Sequence, residues 1–202
     1  MREFIYYSKN AVTSGNFIKD DLMKAGRMDI ACQIVIMSFF VSNHMRHDVK
    51  LHLIFDGPPD APKHLELFPG KPELGDIKDK IDISKKDVAG LIKRMLYKYR
   101  RGKKAEVFSG YWIEKKSLIN LVKEMKEDGK EIYILDKKGD DIRKEEFVGD
   151  EVFILGDQEG LPKRELKQLK KLDIKKISVG NVMYFASQSL TILHNELDRQ
   201  LL

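Results

Sequence analysis

The chain has 202 residues, 42% hydrophobic and 34% charged, and its 37 Lys and Arg against 32 Asp and Glu leave a formal charge of +5. That length is enough to bury a proper core, and the mild basic excess favours a polyanionic partner without demanding one. The single cysteine, Cys32, excludes an internal disulfide and a cysteine zinc cluster, and is expected to be a buried small hydrophobe. The longest apolar run, Ile34 to Val41, is broken by Ser38 and too short to cross a membrane. The opening MREFIYYSKN lacks the apolar stretch of a secretion leader. A soluble, cytoplasmic protein is expected.

In chain order, Phe4 to Tyr7 reads as a first strand and Asn10 to Asn16 as a loop. Gly26 precedes Arg27, Met28 and Asp29, where Asp29 can cap a helix running to about Met45. Its segment Ile30 to Val41 is apolar on more than one face, which calls for burial on two sides, as a central helix or against a second subunit. Leu51 to Phe55 is the near-continuous apolar run of a buried parallel strand. It breaks at Asp56, Gly57, Pro58 and Pro59, a turn that sets Asp56 at a carboxyl edge.

Lys63 to Phe68 suggests another short strand, followed to Ile83 by a loop-rich stretch with Pro69, Gly70, Pro72 and Gly75. Ser84, with Asp87 three residues on, resembles a capping box for a helix to about Arg101. That helix ends in the basic run Arg101, Gly102, Lys103, Lys104. Val107 to Ile113 reads as a strand and Lys116 to Glu127 as a helix stopped at Gly129. Ile132 to Leu135 is the next strand, with a polar excursion through Gly139, Asp140 and Asp141. Strands alternating with helices predict an α/β fold.

The last quarter carries the chemistry. Val152 to Leu155 is a short strand that stops at Gly156 and enters an acidic turn, Asp157, Gln158, Glu159, Gly160. Pro162 opens a Lys-rich helix. Ile174 to Val179 is a second strand that stops at a glycine, Gly180, and a long amphipathic helix follows with Leu190, Leu193, Leu197 and Leu201 on one stripe. Two strands ending at glycines beside helices make the crevice in which open α/β sheets bind ligands. Asp157 and Glu159 disfavour a nucleotide phosphate there. A ligand with hydroxyls and a positive centre suits the loop better, although a plain turn with solvated acids fits the same residues. The G-x-G-x-x-G and P-loop patterns are absent.

FILGDQEGLP and ISVGNVMYFASQSLTILHNELDR together resemble the two C-terminal motifs of the SPOUT methyltransferases. MREFIYYSKNAVT, GRMDIACQ, SNHMRHDV, FDGPPDAP and the terminal HNELDR resemble the archaeal branch that methylates N1 of pseudouridine 54 in tRNA. The stretch Lys71 to Lys116 matches loosely. The resemblance implies one SPOUT domain over 1–202, an α/β fold with a mostly parallel sheet flanked by helices. A C-terminal trefoil knot at about 131–202 would cradle S-adenosyl-L-methionine, with Leu135, Gly156, Ser178, Val179, Gly180, Asn181, Val182 and Met183 against the cofactor. Ser189 stands where relatives often carry cysteine. It also implies a homodimer, tRNA as partner, no metal and no membrane.

Arg27 and Asp29 resemble an Arg-x-Asp pair of related pseudouridine methyltransferases, and are the first candidates for holding the base and assisting loss of its N1 proton; Asp56 is the second. For Asp29 the helix cap is the competing role. Arg46, Arg94, Lys98, Arg100 and Arg101, interleaved with Tyr97 and Tyr99, are candidates for RNA phosphates, a solvated basic face being the alternative. A ribosomal pseudouridine as target, or an RNA-binding relative without catalysis, are the rival readings.

Overall fold

The computed structural model describes residues 1–42, 44–70 and 83–201. The expected loop residues from 71 to 82, Pro72 and Gly75 among them, lie outside that set, as does the side chain of Leu201. The strands are β1 (Arg2–Ser8), β2 (Phe40–Val41), β3 (His44–Met45), β4 (Val49–Phe55), β5 (Lys63–Leu67), β6 (Ala105–Phe108), β7 (Tyr111–Glu114), β8 (Glu131–Asp141), β9 (Glu151–Gly156) and β10 (Lys175–Ser178). The helices are α1 (Met28–Phe39), α2 (Lys85–Tyr97), α3 (Leu118–Glu127), α4 (Lys163–Lys171) and α5 (Ala186–Leu201). Eight strands form one sheet in the order β10-β8-β9-β1-β4-β5-β7-β6, and β2 and β3 make a separate hairpin. The first five in that order pair in parallel and the last three antiparallel.

Side chains of a strand alternate between faces, and β1 uses that rule to build two cores at once. Phe4 and Tyr6 join Leu51, Leu53, Phe153 and Leu155 under α1, α2 and α5. Ile5 and Tyr7 join Ile54, Val152 and Ile154 under α3 and α4. β1 therefore sits at the centre of a mostly parallel sheet with helices on both faces, the α/β class expected. Cys32 is fully buried as expected, and burial pushes its thiol up to about 12. Leu190, Leu193 and Leu197 are buried, as the stripe on α5 predicts. Among the described residues no helix is long and apolar enough to cross a membrane.

Several elements differ from their sequence reading. α1 stops at Phe39 rather than near Met45: Ser38 Oγ bonds back to Ile34 O (2.8 Å), and the aromatic and β-branched residues Phe40 and Val41 pair with Met45 and His44 instead. Asp29 is not the cap of α1. Arg27 holds that position, in the left-handed region (φ 62°), and Asp29 lies in the first turn. The Ser84 capping box is present, but α2 ends at Tyr97, before the basic run. Val107 to Ile113 is two strands, not one. The chain turns at Gly110 (φ 81°), where a Cβ would stand 2.2 Å from Phe68 O. The polar excursion after Leu135 belongs to β8, whose Asp140 and Asp141 pair with Ile177 and Ser178 across a break in register.

Candidate active site

The middle of β8 and the carboxyl ends of β9 and β10 border a cavity of about 350 Å³, within the size range of small-molecule sites. Its wall includes Leu135, Gly156, Ser178, Val179, Gly180, Val182, Met183 and Ser189, so the two glycine-terminated strand ends do share one pocket. Asn181 is exposed and is not part of the lining. Leu155, Leu161, Tyr184 and Ala186, from the two C-terminal motifs, also line it, as do Ile134, Asp136, Lys137, Lys138 and Leu166, which no sequence motif singles out.

Local chemistry explains the two loops. At Gly156 an added Cβ would lie 2.7 Å from the carbonyl carbon of Gly160, so only glycine lets the turn fold back on the strand end. The acidic turn is held by β1 and the residues after it. Asp157 accepts from Ser8 Oγ (3.2 Å), from the backbone of Lys9 (3.0 Å) and from that of Glu159 (2.9 Å), and Asn10 donates to Glu159 (3.0 Å). On β10, Ser178 Oγ accepts from Gly180 N (3.2 Å) and donates to Gly180 O (3.0 Å), which shapes the second loop (Gly180 φ 136°). Asp136 accepts from Lys176 (2.5 Å), which lowers its carboxyl pKa.

Neither Arg27, Asp29 nor Asp56 lines the cavity, but all three sit at the same edge of the sheet. A Cβ on Gly26 would be 1.7 Å from Asn10 O, and one on Gly57 would be 2.4 Å from the same oxygen. Asn10 thus joins the segments bearing Arg27 and Asp56 to Glu159 on the cavity wall. Arg27 and Asp29 form a two-pronged pair, Nε to Oδ1 at 2.9 Å and Nη2 to Oδ2 at 3.0 Å, which holds the Asp29 carboxyl below its ordinary value. Asp56 is exposed and accepts from the Tyr7 hydroxyl (2.8 Å). Burial, and then Asp56, raise the carboxyl of the half-buried Glu165.

Tyr6, which sequence reasoning passed over, is fully buried. Burial raises the pKa of its phenol, and the charges of Asp157 and Asp29 add to the effect. Tyr6 therefore lies within electrostatic reach of the cavity loop and of the Arg27–Asp29 pair together. The only sequence signal was the aromatic pair Tyr6-Tyr7 at the end of an inward-alternating strand.

The basic candidates divide. Arg46 is committed to Asp198 (2.9 and 2.6 Å), which Arg2 also binds (2.6 Å). Arg94 is exposed, with its guanidinium 5.7 Å from the Phe108 ring centre. Lys98, Arg100 and Arg101 are exposed just past the end of α2. His194 on α5 is buried against Phe4 (ring centres 4.9 Å) and Arg2, and burial holds it at about 3.

Comparison with known proteins bears on this arrangement. The chain is 35% identical over 201 residues to a tRNA (pseudouridine(54)-N(1))-methyltransferase of Methanosarcina acetivorans, covering 98% of this chain and 92% of that one. It is 32% identical over 203 residues to the protein of the same name from Methanococcoides burtonii, covering 100% and 98%. Among solved structures, Archaeoglobus fulgidus Nep1 bound to S-adenosylhomocysteine superposes with a TM-score of 0.59 at 12% identity, over 99% of this chain and 98% of that one, so the fold is shared. The profile of a family described as SAM-dependent RNA methyltransferases matches residues 1–202. With relatives this similar along their whole length, the chain belongs to that family of S-adenosylmethionine-dependent RNA methyltransferases.

Proposed function

We propose that the protein methylates N1 of pseudouridine 54 in the T-loop of tRNA, acting as a cytoplasmic homodimer built on a threaded C-terminal region, with 1–202 as one domain. The full-length relatives carrying that activity in their names support the substrate. The observation that carries the reading is the cavity between the middle of β8 and the ends of β9 and β10, joined through Asn10 to the Arg27–Asp29 pair. Its volume, its apolar walls at Ile134, Leu135, Leu155, Val179 and Met183, and its acidic residues Asp157 and Glu159 fit S-adenosylmethionine, an apolar and hydroxylated molecule with a cationic sulfur. When bound, that cofactor supplies an electrophilic methyl group. The half-exposed Ile30 and Ile36 of α1, packed only partly by this chain, suit a partner subunit.

The chain's own residues position and deprotonate. Arg27 fixes the Asp29 carboxylate in one orientation, and Asp29 accepts a hydrogen bond from the pseudouridine N1–H. As N1 forms its bond to carbon, it becomes cationic and its proton far more acidic. A carboxylate held below the usual range is then basic enough to take that proton, which it passes to solvent. Lys98, Arg100 and Arg101 contact phosphates and make binding salt-dependent.

A methylation assay with a tRNA T-arm carrying pseudouridine at position 54 tests the reading, product being identified by mass. Asp29→Asn is expected to lower kcat at least tenfold with S-adenosylmethionine affinity unchanged. Methylation of an RNA with uridine at that position, or none with pseudouridine, would count against it.

A further inference from the structure

Four ionisable side chains lie in a row across four neighbouring strands, on a part of the sheet that the cavity does not touch. They are Glu3 on β1, His52 on β4, His64 on β5 and Glu114 on β7. Glu3 is 3% exposed, His52 2% and His64 1%. His52 Nε2 is 2.9 Å from Glu3 Oε1, His52 Nδ1 is 2.8 Å from His64 Nε2, and His64 Nδ1 is 3.1 Å from Glu114 Oε1. The row crosses the sheet where parallel pairing (β1 with β4) gives way to antiparallel (β4 with β5 and β5 with β7).

Counting protons decides what this row is. Each of the three contacts needs one proton. Lys50 and Lys130 beside Glu3, and Lys116 beside Glu114, keep both carboxylates ionised, so the ends donate nothing. The outer ring nitrogens, His52 Nε2 and His64 Nδ1, must then carry N–H. Two neutral imidazoles would have no proton left, and their inner nitrogens would meet lone pair to lone pair at 2.8 Å in a buried site. We infer that Glu3, His52, His64 and Glu114 form a buried proton-sharing chain, in which the two histidines hold three ring protons and one positive charge between them, clasping the parallel and antiparallel halves of the sheet in a pH-dependent way.

A metal ion is the other cation that could stand between the rings, since His52, His64 and Glu66 offer atoms within 4.8 Å of one another. The surroundings oppose it. Lys104 takes Glu66 (2.7 Å), and Lys50, Lys116 and Lys130 add positive charge. The 2.8 Å separation suits N–H···N. Two ligands on a tetrahedral zinc stand about 3.3 Å apart, given bonds of about 2.0–2.1 Å. Farther out, Glu124 on α3 faces Lys116 and Asp150, ahead of β9, faces Lys130. Burial holds His64 down to about 4 and the charge of His52 lowers it further, so both rings are charged together only in acid. The unfolded chain, whose histidines are neutral above about 6.5, holds no such proton, so the row's contribution to stability falls as pH rises past that value.

The test uses the intact protein with 15N-labelled histidine rings, the five histidines being assigned from single His→Gln variants. Two-bond 1H–15N spectra at pH 7 are expected to give three ring protons over the four nitrogens of His52 and His64. Two neutral single tautomers would overturn the inference. So would near-stoichiometric metal in elemental analysis that His64→Gln removes. As a second measurement, the urea midpoint of the wild type is expected to fall more steeply between pH 7 and 9 than that of His64→Gln, and equal slopes would also overturn it.

Discussion

At the start of α1, Arg27 and Asp29 hold each other through two hydrogen bonds, Nε to Oδ1 and Nη2 to Oδ2. Their spacing marked them as a pair, but the cap role considered for Asp29 assumed a helix beginning two residues later than it does. With Arg27 in the left-handed region at the cap position, the Asp29 carboxylate takes both hydrogen bonds of the guanidinium and one from its own backbone amide. Gly26, just before it, lies against Asn10, a tertiary contact that no local pattern reports. The same reasoning at Gly156 gives a sharper consequence. Any side chain there meets Gly160, so Gly156→Ala is expected to weaken S-adenosylmethionine binding at least tenfold by calorimetry while the far-UV spectrum is retained.

Individual elements were legible where one local signal sufficed. The Ser84 box was read from two residues, and it is present with both of its hydrogen bonds. Ser84→Ala is expected to lower stability by about 1 kcal/mol, read from denaturant unfolding, without changing cofactor affinity. Elements were misread where pairing, not composition, sets their limits. Val107 to Ile113 has the composition of a single strand, and only its partners on β5 and the tight approach of Gly110 to Phe68 show a hairpin. Residues 139 to 141 look like a polar loop by composition, yet they extend β8 because β10 supplies a second stretch of partners there. Boundaries that depend on a neighbouring strand are outside what a single segment can encode.

On the scale of the whole molecule, the α/β class and the meeting of two glycine-ended strands followed from the alternation of elements, whereas the order of strands did not. Buried titratable groups are also distributed over the whole molecule, and they predict its acid response. Burial, aided by Arg46 and Arg2, holds His194 at about 3, and burial holds His64 at about 4. The unfolded chain takes up those protons near 6.5, so stability falls as pH drops from about 6.5 through these values. Asp198, with Arg46 and Arg2, sits at about 2. Glu114 does too, because His64 and Lys116 outweigh its burial. Their contribution is complete above the ordinary carboxylate range and is lost below it. Urea midpoints measured from pH 7 to 3 are expected to decline in two stages, and His194→Gln is expected to flatten the upper one. An undiminished upper stage would mean that His194 is already protonated in the native state.

The central place of β1 has a consequence for how the chain is made. One of its edges pairs with β4, reached soon after it in sequence, but the other pairs with β9, as in Glu3 with Val152. On the ribosome, that second edge waits for roughly 150 residues to be translated, an open row of amides and carbonyls beside apolar side chains. Nascent-chain chaperones that shield such edges would matter most during this interval, and a stall placed between α3 and β9 would trap the chain at its most adhesive.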